Sequence, residues 1–285
     1  MTNLRIVEPG TEPNRITTAL FQGELLVFQH LASLAQLLEQ TRAAVETALE
    51  TSDPLRAEQN FAPAEFRRRC VALRKVIEQD ASIQGLWRAV LGEIGFDADD
   101  CFHDRLRLRI VPSKAVPEGR VIRPLPLHRD TWGSGIMAQV NWWLPIYPLT
   151  ETRTMKLWPE AFDKPVANSS RTWDFEQLMS GGQQDYPMLP STNETMGTPV
   201  SVTIKPGEVL AFAAAHLHAG INDTSGLSRI SFDTRTVWQE DLIAGRAAPN
   251  VDGQGKDQHW SWFTPPRNHG RSEKTKQEQQ TGATS

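Results

Sequence analysis

The sequence predicts a mainly β domain fronted by α-helices, an antiparallel barrel or jelly roll packed against an N-terminal helical layer. Three features predict it. Apolar residues recur at helical spacing through roughly the first hundred residues. After about residue 102 the apolar period drops to two. The strand-like runs that follow are short and separated by turn-forming residues.

The helices come first. Leu31, Leu34, Leu37, Leu38, Val45 and Leu49 share one helical face, behind the short apolar stretch Leu25 to Phe28. Pro63 suits a first helical turn and opens a second helix carrying Phe66, Cys70, Leu73, Val76 and Ile77. A third runs from Ser82 to Ile94, with Gly95 as its stop. Then Leu106, Leu108 and Ile110 alternate with Arg105, Arg107 and Arg109, the signature of a strand. Ile136 to Tyr147 alternates again, with Ile136, Ala138, Val140, Trp142, Leu144 and Ile146 on one face and Gln139, Asn141 and Trp143 on the other. Further strands are expected at Thr154–Trp158, Val200–Ile204, Val209–Ala213 and Arg229–Trp238, with Pro206-Gly207 as a turn. Segment 163–198, rich in Ser, Gly, Pro, Asn and Gln, reads as a long loop. There is no internal repeat. Residues 1–266 read as a single domain, helical over 1–101 and with a β core over 102–240; the polar segment 267–285 reads as a disordered tail.

Composition narrows the function. The 285 residues are 39% hydrophobic and 22% charged, ordinary for a globular protein. A formal net charge of −4 provides no global basic field for nucleic acid. No apolar run approaches the ~18 residues of a membrane span, and Met1 to Arg15 lacks the apolar centre of a signal peptide. Cys70 and Cys101 are the only cysteines, for which a reduced, cytoplasmic setting is the simplest reading. The expected partner is a small-molecule substrate; oligomeric state is not specified.

His128-Arg129-Asp130 offers an imidazole and a carboxylate two residues apart, able to reach one ion from an extended backbone. With a further histidine they form a facial triad that leaves metal positions open. A surface His and Asp beside a turn fit the same three residues. The third ligand comes from Ala215-His216-Leu217-His218, and on a strand both histidines share a face. His218 is preferred because Arg229 then lies eleven residues on, room for one turn and a return strand. His216 is left as a buried histidine or a contributor to the substrate pocket.

Arg229-Ile230-Ser231-Phe232-Asp233-Thr234-Arg235 alternates strictly, putting Arg229, Ser231, Asp233 and Arg235 on one face. An arginine inside a barrel needs an anionic partner, and a carboxylate matches its geometry. Arg229 with Ser231 therefore suits an organic acid, while Asp233 could simply orient Arg235. Gln139 and Asn141 could hydrogen-bond the same acid or a substrate, or face water. Trp132, Trp143, Arg235 and His216 are the candidate substrate residues; core packing is the other reading of Trp132. Arg105, Arg107 and Arg109 form either a solvated face or an anion-binding wall.

Together, His128-Arg129-Asp130, His218 and Arg229-Ile230-Ser231 resemble the H-x-D … H … R-x-S pattern of iron(II)/2-oxoglutarate-dependent dioxygenases. The helical N-terminus and Leu217-His218 … Asn222 are similar to the phytanoyl-CoA/ectoine hydroxylase group. The resemblance covers roughly residues 102–238. It implies a double-stranded β-helix (jelly-roll, cupin-like) core flanked by α-helices. It implies His128, Asp130 and His218 as ligands of Fe(II), with Arg229 and Ser231 on the co-substrate 2-oxoglutarate, and O2 as oxidant. The implied activity is hydroxylation of an unactivated C–H bond with release of succinate and CO2. Asp130 argues against the family's halogenases, which have a small residue there.

Two other classes fit less of the pattern. A cupin-like isomerase or hydrolase would use the metal without 2-oxoglutarate, and so without Arg229. A non-catalytic homologue would keep the barrel but not the chemistry. The segment 163–198 matches no substrate-binding pattern.

Overall fold

The computed structural model describes residues 4–113, 124–180, 196–221, 223 and 225–267. In chain order the elements are β1 (Arg5–Val7), α1 (Pro13–Phe21), β2 (Leu26–Phe28), α2 (Ala32–Leu49), α3 (Pro63–Gln79), α4 (Ala81–Ile94), β3 (Cys101–His103) and β4 (Arg107–Val111). They continue with α5 (Thr131–Ser134), β5 (Val140–Pro145), β6 (Met155–Leu157), α6 (Phe175–Met179), β7 (Val200–Ser201), β8 (Val209–Ala213), β9 (His218–Gly220), β10 (Arg229–Trp238) and α7 (Gln239–Ala244).

The strands make two sheets. The larger has the order β1-β2-β8-β5-β10-β3, with β4 also paired to β10; the smaller is β7-β6-β9. All pairings are antiparallel except β1 with β2. Two such sheets with helices outside form the expected jelly-roll core. β10, ten residues long, carries β4 beside its first half and β3 beside its last three residues.

Alternation along each strand divides the large sheet into two faces. Toward the helices point Leu26, Phe28, Leu108, Ile110, Val140, Trp142, Leu144, Ala211, Ile230 and Phe232, in one cluster with Leu34, Leu38, Trp87 and Phe96. Toward the small sheet point Val27, Trp143, Leu210 and Phe212, which pack on Met155 and Leu157. β5 lies between β8 and β10 and is covered on both faces, which is why every residue from Val140 to Pro145 is buried. Trp142 is wedged among Phe28, Trp87 and Phe96, and its indole N–H donates to Thr236 Oγ1 at 2.8 Å.

The helices follow the pattern in the sequence. Asp80 caps α4 by accepting from the amides of Ser82 and Ile83, and Gly95 ends it at φ 133°. Other boundaries shift. The predicted strand 136–147 contracts to β5 because residues before Val140 form turns; the predicted strand at 200–204 contracts to two residues. The first hundred residues also contribute β1 and β2 to the large sheet, through the short apolar runs Arg5–Val7 and Leu26–Phe28. Within the expected loop 163–198, the described residues include α6 and a 3-10 turn at Ser170–Thr172. The expected tail lies outside the described residues except for Arg267. No helix among the described residues is long and apolar enough to cross a membrane.

Candidate metal centre and pocket

His128 and His218 meet where the chain entering α5 runs beside β9. They pair as an isolated antiparallel bridge, each amide donating to the other's carbonyl at 3.0 and 2.9 Å. Asp130 does not reach the same point from an extended backbone. Its φ of −65° and ψ of −28° are helical, and it directly precedes α5. The bend returns its carboxylate toward the two rings, and Gly135 lets the single turn end in the left-handed region, φ 66°. A Cβ at Gly135 would stand 2.4 Å from the Asp257 carbonyl oxygen.

One donor atom from each of His128, Asp130 and His218 lies within 4.8 Å of the others. His128 Nε2 is 3.5 Å from Asp130 Oδ1, and His218 Nε2 is 3.7 Å from Asp130 Oδ2. The far side of each ring fixes its tautomer. His128 Nδ1 is 2.7 Å from the Pro126 carbonyl oxygen and His218 Nδ1 is 2.9 Å from that of His216. A carbonyl only accepts, so each Nδ1 carries a proton and Nε2 is the ring nitrogen left facing the other donors. Burial, then the neighbouring His128, pushes His218 down to about 4, so it is neutral at physiological pH. Burial raises the Asp130 carboxyl, but the neighbouring His128, His218 and Arg235 outweigh it. The result lies well below the usual carboxylate range. Two imidazoles and one carboxylate beside a pocket fit a divalent transition metal with open positions.

Asp130 is held by a relay. Asn141 Nδ2 donates to Asp130 Oδ2, and Gln139 Nε2 donates to Asn141 Oδ1 at 2.9 Å. Asn141 lines the pocket; Gln139 lies behind it, fully buried. The two side chains thus reach the carboxylate rather than a second face in water.

β10 supplies the opposite wall. Arg229 is 5% exposed, lines the pocket, donates through Nη1 to the Thr154 carbonyl at 2.6 Å, and keeps a buried Nε without a hydrogen-bond partner. Burial, then Arg109, pushes its guanidinium down to about 10, still protonated at neutral pH. Ser231, two residues on, has a buried hydroxyl without a partner. Trp143 lies under Arg229, its ring centroid 6.0 Å from the guanidinium carbon.

Arg235 lines the pocket, but Asp233 does not orient it. Asp104 does, through Oδ2. The gap between β3 and β4 explains this. Asp104 stands in that gap, its amide donating to the Arg235 carbonyl at 3.0 Å, and its side chain turns inward. Asp233 instead pairs with Arg109. Arg107 and Arg109 also line the pocket, whereas Arg105 is exposed, so the stripe is a pocket wall at two of its three arginines and solvated at the first.

Two candidate substrate residues lie elsewhere. Trp132 is buried with Ala161, Val166 and Leu217, its indole N–H donating to Asp252 Oδ1 at 2.7 Å. His216 is fully buried against Phe162 and Phe212, with Nδ1 3.1 Å from the Ala213 carbonyl and Nε2 3.1 Å from that of Gly23. It does not share a face with His218 because residues 214–217 form a turn after β8, and a two-residue period holds only on a strand. Asp104 and Asp252 are not foreseen in the sequence. The only sign of Asp104 is an acid at the head of an arginine stripe. Asp252 meets Arg129, between His128 and Asp130, across 123 residues and gives no local signal.

No family model matches the chain, and neither does any curated protein sequence. Among solved structures it is similar to EvdO2 from Micromonospora carbonacea var. aurantiaca complexed with 2-oxoglutarate, at 13% identity and TM-score 0.46, covering 90% of this chain and 98% of that one. EctD from S. alaskensis in its apoform aligns at 15% identity and TM-score 0.42, covering 93% and 90%. The epimerase SnoN in complex with Fe3+, alpha ketoglutarate and nogalamycin RO aligns at 14% identity and TM-score 0.41, covering 86% and 92%. Each is what the chain is similar to in outline; what its pocket can do is set by its own side chains.

Proposed function

We propose that the protein is an iron(II)- and 2-oxoglutarate-dependent oxygenase acting on a small polar molecule. The observation that carries this reading is the pairing, across one pocket, of a His128–Asp130–His218 donor set with the buried, incompletely hydrogen-bonded Arg229. A metal site alone would suit an isomerase or a hydrolase equally. A buried cation with a donor to spare, on the same β10 face as an unpartnered Ser231 hydroxyl, calls for an anionic co-substrate.

In this reading His128, Asp130 and His218 hold the iron, and the distal carboxylate of 2-oxoglutarate rests on Arg229 and Ser231. Bound there, iron with 2-oxoglutarate supplies dioxygen activation: one oxygen atom enters succinate as CO2 is lost, and the other oxidises the substrate. The protein's own groups do the rest. The Gln139–Asn141 relay keeps the Asp130 carboxylate aimed at the metal. Trp143, Met155 and Phe212 shape an apolar wall that limits water. The default outcome is hydroxylation; desaturation, ring closure or epoxidation would follow from a different substrate placement in the same pocket.

The test is iron- and 2-oxoglutarate-dependent succinate formation, with mass-spectrometric screening of candidate substrates for gain of 16 or loss of 2 mass units. Turnover that needs both iron and 2-oxoglutarate is expected. Metal-dependent turnover indifferent to 2-oxoglutarate would favour the isomerase or hydrolase reading.

A further inference from the structure

In the β4–β10 register Arg107 stands directly opposite Asp233. Opposite charges so placed on one face can reach each other. No ion pair joins them among the described residues. Arg107 Nη2 donates instead to Asp104 Oδ1 at 3.0 Å. Asp233 accepts both Nε and Nη2 of Arg109, but on the single oxygen Oδ2. Two groups are left incomplete side by side. Arg107 keeps a guanidinium with one carboxylate contact and a side chain 35% exposed. Asp233 keeps Oδ1, buried and without a hydrogen-bond partner.

Both residues line the pocket that Asp130 and His218 close. With Arg229 and Asp130 set aside for co-substrate and metal, Arg107, Arg109 and Arg235 face Asp104 and Asp233 in that lining. Among the described residues this wall therefore carries one cation in excess. A buried carboxylate oxygen without a donor is unfavourable, and such a group at a pocket marks a place that a ligand completes.

We propose that Arg107 and Asp233 form the substrate-recognition pair of this pocket, and that the substrate is an α-amino or α-hydroxy carboxylic acid. The substrate carboxylate takes the open donors of Arg107, and its adjacent ammonium or hydroxyl donates to Asp233 Oδ1. This proposal rests on the oxygenase reading, which reserves Arg229 for 2-oxoglutarate.

The experiment uses the full chain loaded with Ni(II), a redox-inert stand-in for iron, and saturated with 2-oxoglutarate so that Arg229 is occupied. The probes are the common amino acids and their α-hydroxy analogues, screened by thermal shift. Each binder is then titrated calorimetrically beside its carboxamide and its N-acetyl or O-methyl derivative. At least one acid is expected to bind, and capping either end to weaken it about tenfold or more. The Arg107→Gln variant should lose the preference for acid over amide while its affinity for 2-oxoglutarate stays unchanged. Asp233→Asn should lose the penalty for capping the amine or hydroxyl, and the relative affinities for ammonium and hydroxyl acids separate those two donors. Arg107 is partly exposed, so its variant keeps the fold and carries the test should Asp233→Asn not fold. No binder in the panel, equal binding of acids and amides, or an acid preference that survives Arg107→Gln would overturn the proposal. Failure of 2-oxoglutarate itself to bind the wild-type protein would count against the oxygenase reading instead.

Discussion

His128 and His218 face each other across a two-hydrogen-bond bridge, so the backbone itself sets the separation of the two imidazoles. Their rings lie 4.2 Å apart, centroid to centroid, and each Nδ1–H is spent on a carbonyl two residues back along its own chain. The site is thus preorganised on main-chain geometry, with Asp130 brought in by a helical turn.

Asn141 holds Asp130, the third member of the donor set, and in the proposed reading its removal should be felt at the metal. Asn141→Ala takes away the donor to Asp130 Oδ2. Metal affinity should fall roughly 10- to 100-fold, the usual cost of losing such a support. A competition titration with a chromophoric chelator measures it, with circular dichroism confirming an unchanged fold. Unaltered affinity would show that the relay does not support the metal.

His216 should affect stability and leave the metal alone. Burial pushes it down to about 4, from the ordinary value of 6.5 that the unfolded chain keeps. Between those values the unfolded state takes up a proton that the folded state refuses. Stability is therefore complete above about 6.5 and declines as pH falls toward about 4. In metal-free protein, Tm plotted against pH should fall across that window, and His216→Gln should shallow the slope while metal affinity at neutral pH persists. An unchanged slope would contradict the buried neutral state assigned to this ring.

Arg129 and Asp252 tie the metal motif to the segment after α7. Arg129, 1% exposed, donates to Asp252 and to the carbonyls of Ala161, Lys164 and Ala215, while Asp252 also accepts from Trp132 and the Val166 amide. Removing one partner strands a buried charge. Asp252→Ala should cost about 3–5 kcal/mol in urea unfolding. A loss below about 1 kcal/mol, the range of a surface pair, would contradict this role.

Much of the fold and site is legible in the sequence, because period-two alternation survives folding wherever a strand is real. Arg229–Trp238 shows it best: Arg229, Asp233 and Arg235, assigned to one face, all line the pocket. The pattern misleads where the backbone leaves the strand. His216 and His218 share a face only on an extended chain, and the turn at 214–217 separates them. The HxD spacing works here through a bend at Asp130, a geometry the spacing itself does not encode. Trp132 is open to two readings because a large aromatic beside a ligand fits core and pocket equally; the partner that decides, Asp252, lies 120 residues away. Asp233 pairs with Arg109 on the neighbouring strand and leaves Arg235 to Asp104, contacts that distance along the sequence does not reveal.

Calorimetric titration of 2-oxoglutarate, under anaerobic conditions, into the protein with and without Fe(II) tests the pairing of metal triad and Arg229 most directly. It is run on the wild type and on Arg229→Gln. Binding should depend on the metal and weaken roughly 10- to 100-fold in Arg229→Gln, the cost of a charge-assisted hydrogen bond. Binding indifferent to the metal, or unchanged by Arg229→Gln, would contradict that pairing.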